Sequence, residues 1–163
     1  METAVESAAP EVVQIKATAA IREEVPAESA EAPAREEVSF RGRKILLVED
    51  NELNREIAVD LLEEQEMIVE TAEDGRVAVE TVRRRGPGYF DCILMDIQMP
   101  YMNGYEATKA IRGMFPEMPT PIIALSANAF EEDRRKSLEA GMNAHIAKPI
   151  NIKELISTMV SFF

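Results

Sequence analysis

The chain has 163 residues, 30 acidic side chains against 18 Lys and Arg, and a formal net charge of −12. That length holds one ordinary domain with residues to spare, and an apolar share of 46% is enough to build its core. The negative charge argues against partners that are themselves polyanions, nucleic acid or an anionic membrane surface; the single cysteine excludes an internal disulfide and a thiolate zinc site; and no apolar run approaches the roughly 20 residues that span a bilayer.

Residues 1–41 carry nine Glu, four basic residues, ten Ala and three Pro (Pro10, Pro26, Pro33), with Phe40 the one aromatic. Such a segment has little to bury, and its prolines interrupt any long helix, so it reads as a flexible acidic linker with a transient helix between Val12 and Val25. Its start lacks the basic-then-apolar pattern of a secretory signal, and one cysteine suits a reducing compartment, so a cytoplasmic location is expected.

Residues 42–163 read as the folded domain. Lys44-Ile-Leu-Leu-Val48 is a continuous apolar run, as in a strand buried on both faces. Leu53, Ile57, Ala58, Leu61 and Leu62 recur at helical spacing, and Met67–Thr71 fits a second strand. Asp74 to Arg85 is a helix, acidic at its start, with three Arg in its last turn and Gly86-Pro87-Gly88 as its stop. Phe90 to Met95 is a third strand and Gly104 to Arg112 a helix. The strand Ile122–Leu125 follows a proline-rich stretch, and a helix near Phe130–Ala140 ends at Gly141. Ala144–Ala147 is a short strand. The last helix has Ile152, Leu155, Ile156, Met159 and Val160 on one face, with Asn151 and Glu154 at capping-box spacing.

Strict alternation of five strands and five helices implies an α/β doubly wound parallel sheet with right-handed crossovers and strand order 2-1-3-4-5. Ligands of such sheets bind beyond the carboxyl ends of the strands. Glu49, Asp50 and Asn51 follow the first strand, Asp96 the third, Ser126-Ala127-Asn128 the fourth, and Lys148-Pro149 the fifth. One end of the sheet thus gathers three carboxylates, a hydroxyl and an ammonium. Crowded carboxylates need a cation to stay ionised, and hard oxygen ligands suit Mg²⁺. A carboxylate beside Mg²⁺ can attack phosphorus, with lysine and a hydroxyl to receive the phosphoryl oxygens.

Ile45-Leu-Leu-Val-Glu-Asp-Asn51, Met95-Asp-Ile-Gln-Met-Pro100, Asn103-Gly104, Ala124-Leu-Ser-Ala127 and Ala147-Lys-Pro149 together resemble the receiver domain of two-component response regulators, and their wording is closest to the receivers of hybrid sensor histidine kinases. The resemblance covers residues 43–163 and implies a flavodoxin-like fold. It implies that Asp96 accepts a phosphoryl group from phosphohistidine and relays it to a histidine phosphotransfer partner. Mg²⁺ would lie on Asp50, Asp96 and the backbone carbonyl of Gln98, with Glu49 acting through water. Lys148 would pair with Asp96 and then with the phosphoryl oxygens, Ser126 would turn towards the phosphoryl group, and His145 would occupy an aromatic switch position. Gln98 and Asn128 would tune phosphoryl lifetime, and the bond before Pro149 would be cis. On this reading the chain is a signalling module with self-directed chemistry rather than an enzyme. Its expected partners are a histidine kinase or histidine phosphotransfer domain, with no nucleic acid and no direct membrane contact. It would be a monomer, with dimerisation on phosphorylation open.

Other readings stand beside these. His145 falls within a short strand, where it serves equally well as a structural or edge residue. Cys92 reads as a buried thiol, and Met95, Met99, Met102, Met114 and Met118 as core filling. A free-standing response regulator acting through phosphorylation-dependent protein binding is the nearest alternative function. A phosphatase of the haloacid dehalogenase class would use similar groups, but it usually needs a second Asp two residues after the nucleophile, where Gln98 stands. A flavodoxin-like electron carrier would need a phosphate loop where Glu49-Asp50-Asn51 stands, and those carboxylates would repel the phosphate.

Overall fold

The computed structural model describes residues 39–127 and 131–163. The linker expectation covers residues 1–41; its last three, Ser39 to Arg41, belong to the folded unit because Phe40 is buried in the core, while the rest of it, its transient helix, and Asn128 lie outside the described residues. A compact unit runs from Ser39 to Phe163.

Five strands, β1 (Lys44–Val48), β2 (Ile68–Ala72), β3 (Cys92–Asp96), β4 (Ile122–Ser126) and β5 (Ala144–Ala147), alternate with α1 (Glu52–Glu64), α2 (Gly75–Arg85), α3 (Gly104–Met114), α4 (Glu131–Ala140) and α5 (Ile152–Val160). All neighbouring strands pair in parallel, and the sheet order is β2-β1-β3-β4-β5. This is the predicted doubly wound sheet.

Every residue of β3 and β4 is buried. Alternate side chains divide between two cores: Leu46, Val48, Ile93, Met95, Ile122 and Ala124 pack with Ala78, Val82, Ala107 and Ile111 of α2 and α3. Their neighbours Ile45, Leu47, Cys92, Leu94, Ile123 and Leu125 pack with Ala58 and Leu62 of α1 and Leu155 and Met159 of α5. Covering both faces is what makes continuous apolar strands stable, since no face is left to water. The methionines fill the first core as expected: Met95 and Met118 are buried within it, and Met99, Met102 and Met114 pack against it. Phe40 is buried in the second core and tilts against Phe163 at 5.6 Å between ring centroids.

Several boundaries differ from the sequence reading, each for a local reason. The Met67 amide donates to the Leu62 carbonyl at the end of α1, so Met67 belongs to the turn and β2 starts one residue later. Phe90 precedes β3: the parallel ladder starts where Cys92 meets Ile45, and the Asp91 carboxylate accepts from the Lys44 amide at 2.8 Å. At the other end the ladder runs on, so Asp96 and Ser126 close their strands rather than follow them. In α1, Leu53 and Ile57 are 65% and 52% exposed, while Ala58 and Leu62 are buried. Nine residues of helix turn Leu53 about 180° away from Leu62, so the apolar set wraps the helix instead of forming one stripe.

Caps fix where helices start. Asn51, Asp74 and Asn151 accept backbone N–H groups at the starts of α1, α2 and α5, and Asn103 forms a reciprocal capping box with Glu106 on α3. Three of these caps lie at the carboxyl end of β1, β3 or β5, so the loops carrying the predicted site are short and anchored.

Candidate active site

The site is built at the carboxyl ends of the three strands β1, β3 and β5. β1 ends by delivering Glu49, a residue only 3% exposed whose amide donates to the Ala72 carbonyl at 3.0 Å. Its carboxylate is held on two sides: Oε2 accepts from the Asn51 amide at 3.1 Å, and Oε1 accepts from Lys148 Nζ at 3.1 Å. Arg55, from the first turns of α1, donates to the Glu49 carbonyl at 2.8 Å. Asp96, also 3% exposed, meets the same ammonium, with Lys148 Nζ 3.3 Å from its Oδ2. Asp50 is exposed, yet one oxygen from each of Glu49, Asp50 and Asp96 lies within 4.8 Å of the others.

The main chain beside Asp96 leaves no room for a side chain on the helix that follows. A Cβ on Gly104 would stand 2.5 Å from the Asp96 carbonyl oxygen and 2.9 Å from Ile97 Cα, and the Gly104 amide donates to the Ile97 carbonyl at 2.8 Å. The Asn103-Gly104 pair is thereby explained: Asn caps α3 and Gly lets it begin against the strand end. The loop between them turns through Tyr101, an exposed residue at φ 70° whose ring lies 4.0 Å from the Arg76 guanidinium carbon.

Three carboxylates around one ammonium leave excess negative charge. Burial, and then the charge of Glu49, push the Asp96 carboxyl up to about 7, with Lys148 pulling the other way. Burial works against the Lys148 ammonium, but the charges and hydrogen bonds of Asp96 and Glu49 outweigh it and raise its pKa. A hard divalent cation fits this donor set, because it would neutralise the carboxylates that Lys148 alone does not balance. The Lys148–Pro149 bond is cis.

Of the sequence-predicted residues, Glu49, Asp50, Asp96 and Lys148 converge. Gln98 is exposed two residues beyond Asp96. Ser126 ends the neighbouring strand, 7% exposed, with its carbonyl accepting from the Lys148 amide at 2.7 Å. Its hydroxyl lies 2.7 Å from His145 Nε2. His145 is therefore tied to the predicted site through Ser126. Sequence reasoning singled out neither Arg55 nor Ser137, a buried α4 serine 3.3 Å from His145 Nδ1. A lone small polar residue among the charges of α4 was the only signal for the latter. Cys92 is buried in β3, and burial raises its thiol pKa far above the ordinary range.

The model of the response regulator receiver domain matches residues 45–160. The chain is 39% identical over 144 residues to hybrid signal transduction histidine kinase B of Dictyostelium discoideum, covering 82% of this chain and 7% of that protein. Across such curated kinases the match spans only 7–15% of their length. Among solved structures, the receiver domain of sensor histidine kinase PA1611 from Pseudomonas aeruginosa, with a magnesium ion in its active-site cleft, aligns with TM-score 0.67 and 40% identity over 74% of this chain and 97% of that one. The Saccharomyces cerevisiae receiver domain of Ssk1, crystallised with the phosphotransfer protein Ypd1, aligns with TM-score 0.68 and 31% identity over 76% and 90% of the two chains. No described helix is long and apolar enough to cross a membrane.

Proposed function

This chain belongs to the response regulator receiver domain family of two-component systems, and from that premise we propose that it takes a phosphoryl group from phosphohistidine onto Asp96 and passes it to a histidine phosphotransfer partner. The observation that carries the reading is the placement of Lys148 Nζ between the buried Glu49 and Asp96 carboxylates, at 3.1 and 3.3 Å, with Asp50 alongside. An Asp96 oxygen attacks phosphorus, the phosphorus–nitrogen bond of the donor breaks, and the departing imidazole keeps the electron pair and takes a proton. Lys148 then shifts its charge from the Asp96 carboxylate to the phosphoryl oxygens, and the Ser126 hydroxyl donates a further hydrogen bond. Asp50, Asp96 and the Gln98 carbonyl would hold Mg²⁺, with Glu49 acting through water. When bound, the metal neutralises charge that builds on the transferring group.

The chemistry modifies the chain itself, so its role is signalling and not turnover of an external substrate pool. The same reading makes the acidic segment before Ser39 a linker to upstream domains of a cytoplasmic hybrid kinase, and makes Gln98 and Asn128 the residues that set phosphoryl lifetime. Mixing the protein and Mg²⁺ with a phosphohistidine-bearing phosphotransfer protein tests it. Label should move to this chain and not to its Asp96→Asn variant; label that stays on the donor, or reaches the variant, contradicts it.

A further inference from the structure

Asp50 is the exposed member of the three carboxylates, and its backbone is held from both sides. The peptide group after it donates through the Asn51 amide to Glu49 Oε2 at 3.1 Å. The peptide group before it accepts through the Glu49 carbonyl from Arg55 Nη1 at 2.8 Å. Glu49 is itself fixed, because its amide is tied to the Ala72 carbonyl of β2 and its Oε1 to Lys148. Arg55 is equally anchored. Its amide donates to the Asn51 carbonyl at 2.9 Å, and Asn51 caps α1 by accepting from the Asn54 amide at 2.8 Å. Turn and helix thus close on each other, with the half-buried Arg55 side chain as the tie. Arg55 is also the only basic residue of α1, whose other charged residues are acidic. The ordinary place for a lone arginine on such a helix is against a carboxylate one turn away, whereas this guanidinium donates to main chain at the site.

From this we infer that Arg55 is a positioning residue for Asp50: by holding the Glu49 carbonyl it fixes the peptide before Asp50 and keeps that carboxylate turned towards Asp96. The inference rests on the proposed metal site of Asp50 and Asp96. Two effects of the guanidinium on a cation there have opposite signs. As a charge it repels the cation, weakly, since Asp50 faces water and salt screens the pair. As a tie it spares the cation the cost of ordering the Asp50 turn, and outer groups of this kind are worth about ten- to a hundredfold in metal affinity. The tie outweighs the charge. Losing Arg55 therefore weakens metal binding, although the site then has one positive charge fewer beside it.

Magnesium titrations of the full chain in about 0.15 M salt, followed by calorimetry, test this. Arg55→Met removes the charge and the donors but keeps the stem and the helix propensity. Its Mg²⁺ dissociation constant should rise about tenfold, the share of one charge-assisted hydrogen bond. Arg55→Lys, which keeps the charge and a donor, should bind between the two. An unchanged dissociation constant in Arg55→Met, or a lower one as charge alone would give, overturns the inference. Phosphorylation by acetyl phosphate gives a second measurement. The Mg²⁺ concentration for half-maximal rate should rise about tenfold in Arg55→Met. The rate at saturating Mg²⁺ should stay near that of the wild type, since the bound ion then holds Asp50 itself. A slower saturated rate with an unmoved half-maximal concentration overturns the inference too. Mg²⁺ that binds Asp50→Asn as tightly as the wild type instead overturns the metal site on which the inference rests.

Discussion

Replacing Asp96 by Asn should stabilise the metal-free protein, and by an amount that depends on pH in a defined way. In the folded chain the Asp96 carboxyl is pushed from an ordinary value of 3.8 up to about 7 by burial and by Glu49. Between those values the folded state keeps a proton that the unfolded chain has lost. Stability from this group is therefore fully present below about pH 4 and falls as pH rises to about 7, after which it is level. The difference of about three units corresponds to about 4 kcal/mol at pH 8, at 1.36 kcal/mol per unit. Asn is nearly isosteric, keeps an oxygen for Lys148, and never ionises, so it removes most of that cost while remaining a buried amide. The expected gain is about 2–4 kcal/mol at pH 8 and near zero at pH 4. Urea denaturation of both proteins in chelator, across that range, measures it; carboxylates remote from the site titrate alike in both and cancel. A gain that is constant with pH, or a loss at pH 8, would refute the charge-crowding argument for this site.

Other outcomes follow from the same geometry. Mg²⁺ should raise the melting temperature of the wild-type protein, and the rise should be lost in Asp50→Asn; an equal rise in both proteins would place the ion elsewhere. Gly104→Ala should cost about 1–3 kcal/mol in denaturant, as overpacking does, because its Cβ would stand 2.5 Å from the Asp96 carbonyl oxygen. The same substitution at Gly113, with open space around it, should be neutral or stabilising, as expected in an exposed helix. Cys92, buried in β3 with its thiol pKa raised, should react with a thiol reagent only at the rate of unfolding, and fast reaction in native buffer would contradict its burial.

The fold was legible because its signals are redundant. Buried parallel strands are apolar along their whole length, and Gly and Asn mark the turns between them, so β1, β3 and β4 could be found from composition alone. The edge was harder. β2 is half-exposed, and its start was missed by one residue because the Met67 amide closes α1 instead of opening the strand. The convergence of Glu49, Asp50, Asp96 and Lys148 follows from strand order, so it too was legible. What sequence could not supply was the hydrogen-bond partner of each polar group. That the Ser126 hydroxyl lies 2.7 Å from His145 Nε2 has no sequence signal, and Ser137 enters only because α4 lies over β5. Leu53 and Ile57 fit the helical period of α1 but face solvent, since period alone does not say which arc of a helix the sheet covers.

The most direct test of the central claim is intact-mass spectrometry after incubation with Mg²⁺ and acetyl phosphate or phosphoramidate. One labile phosphoryl group should appear on the wild-type chain, depend on the metal, and be absent from Asp96→Asn, while Lys148→Met should form it far more slowly. An adduct on Asp96→Asn, or none on the wild type, would contradict the assignment of Asp96 as the acceptor.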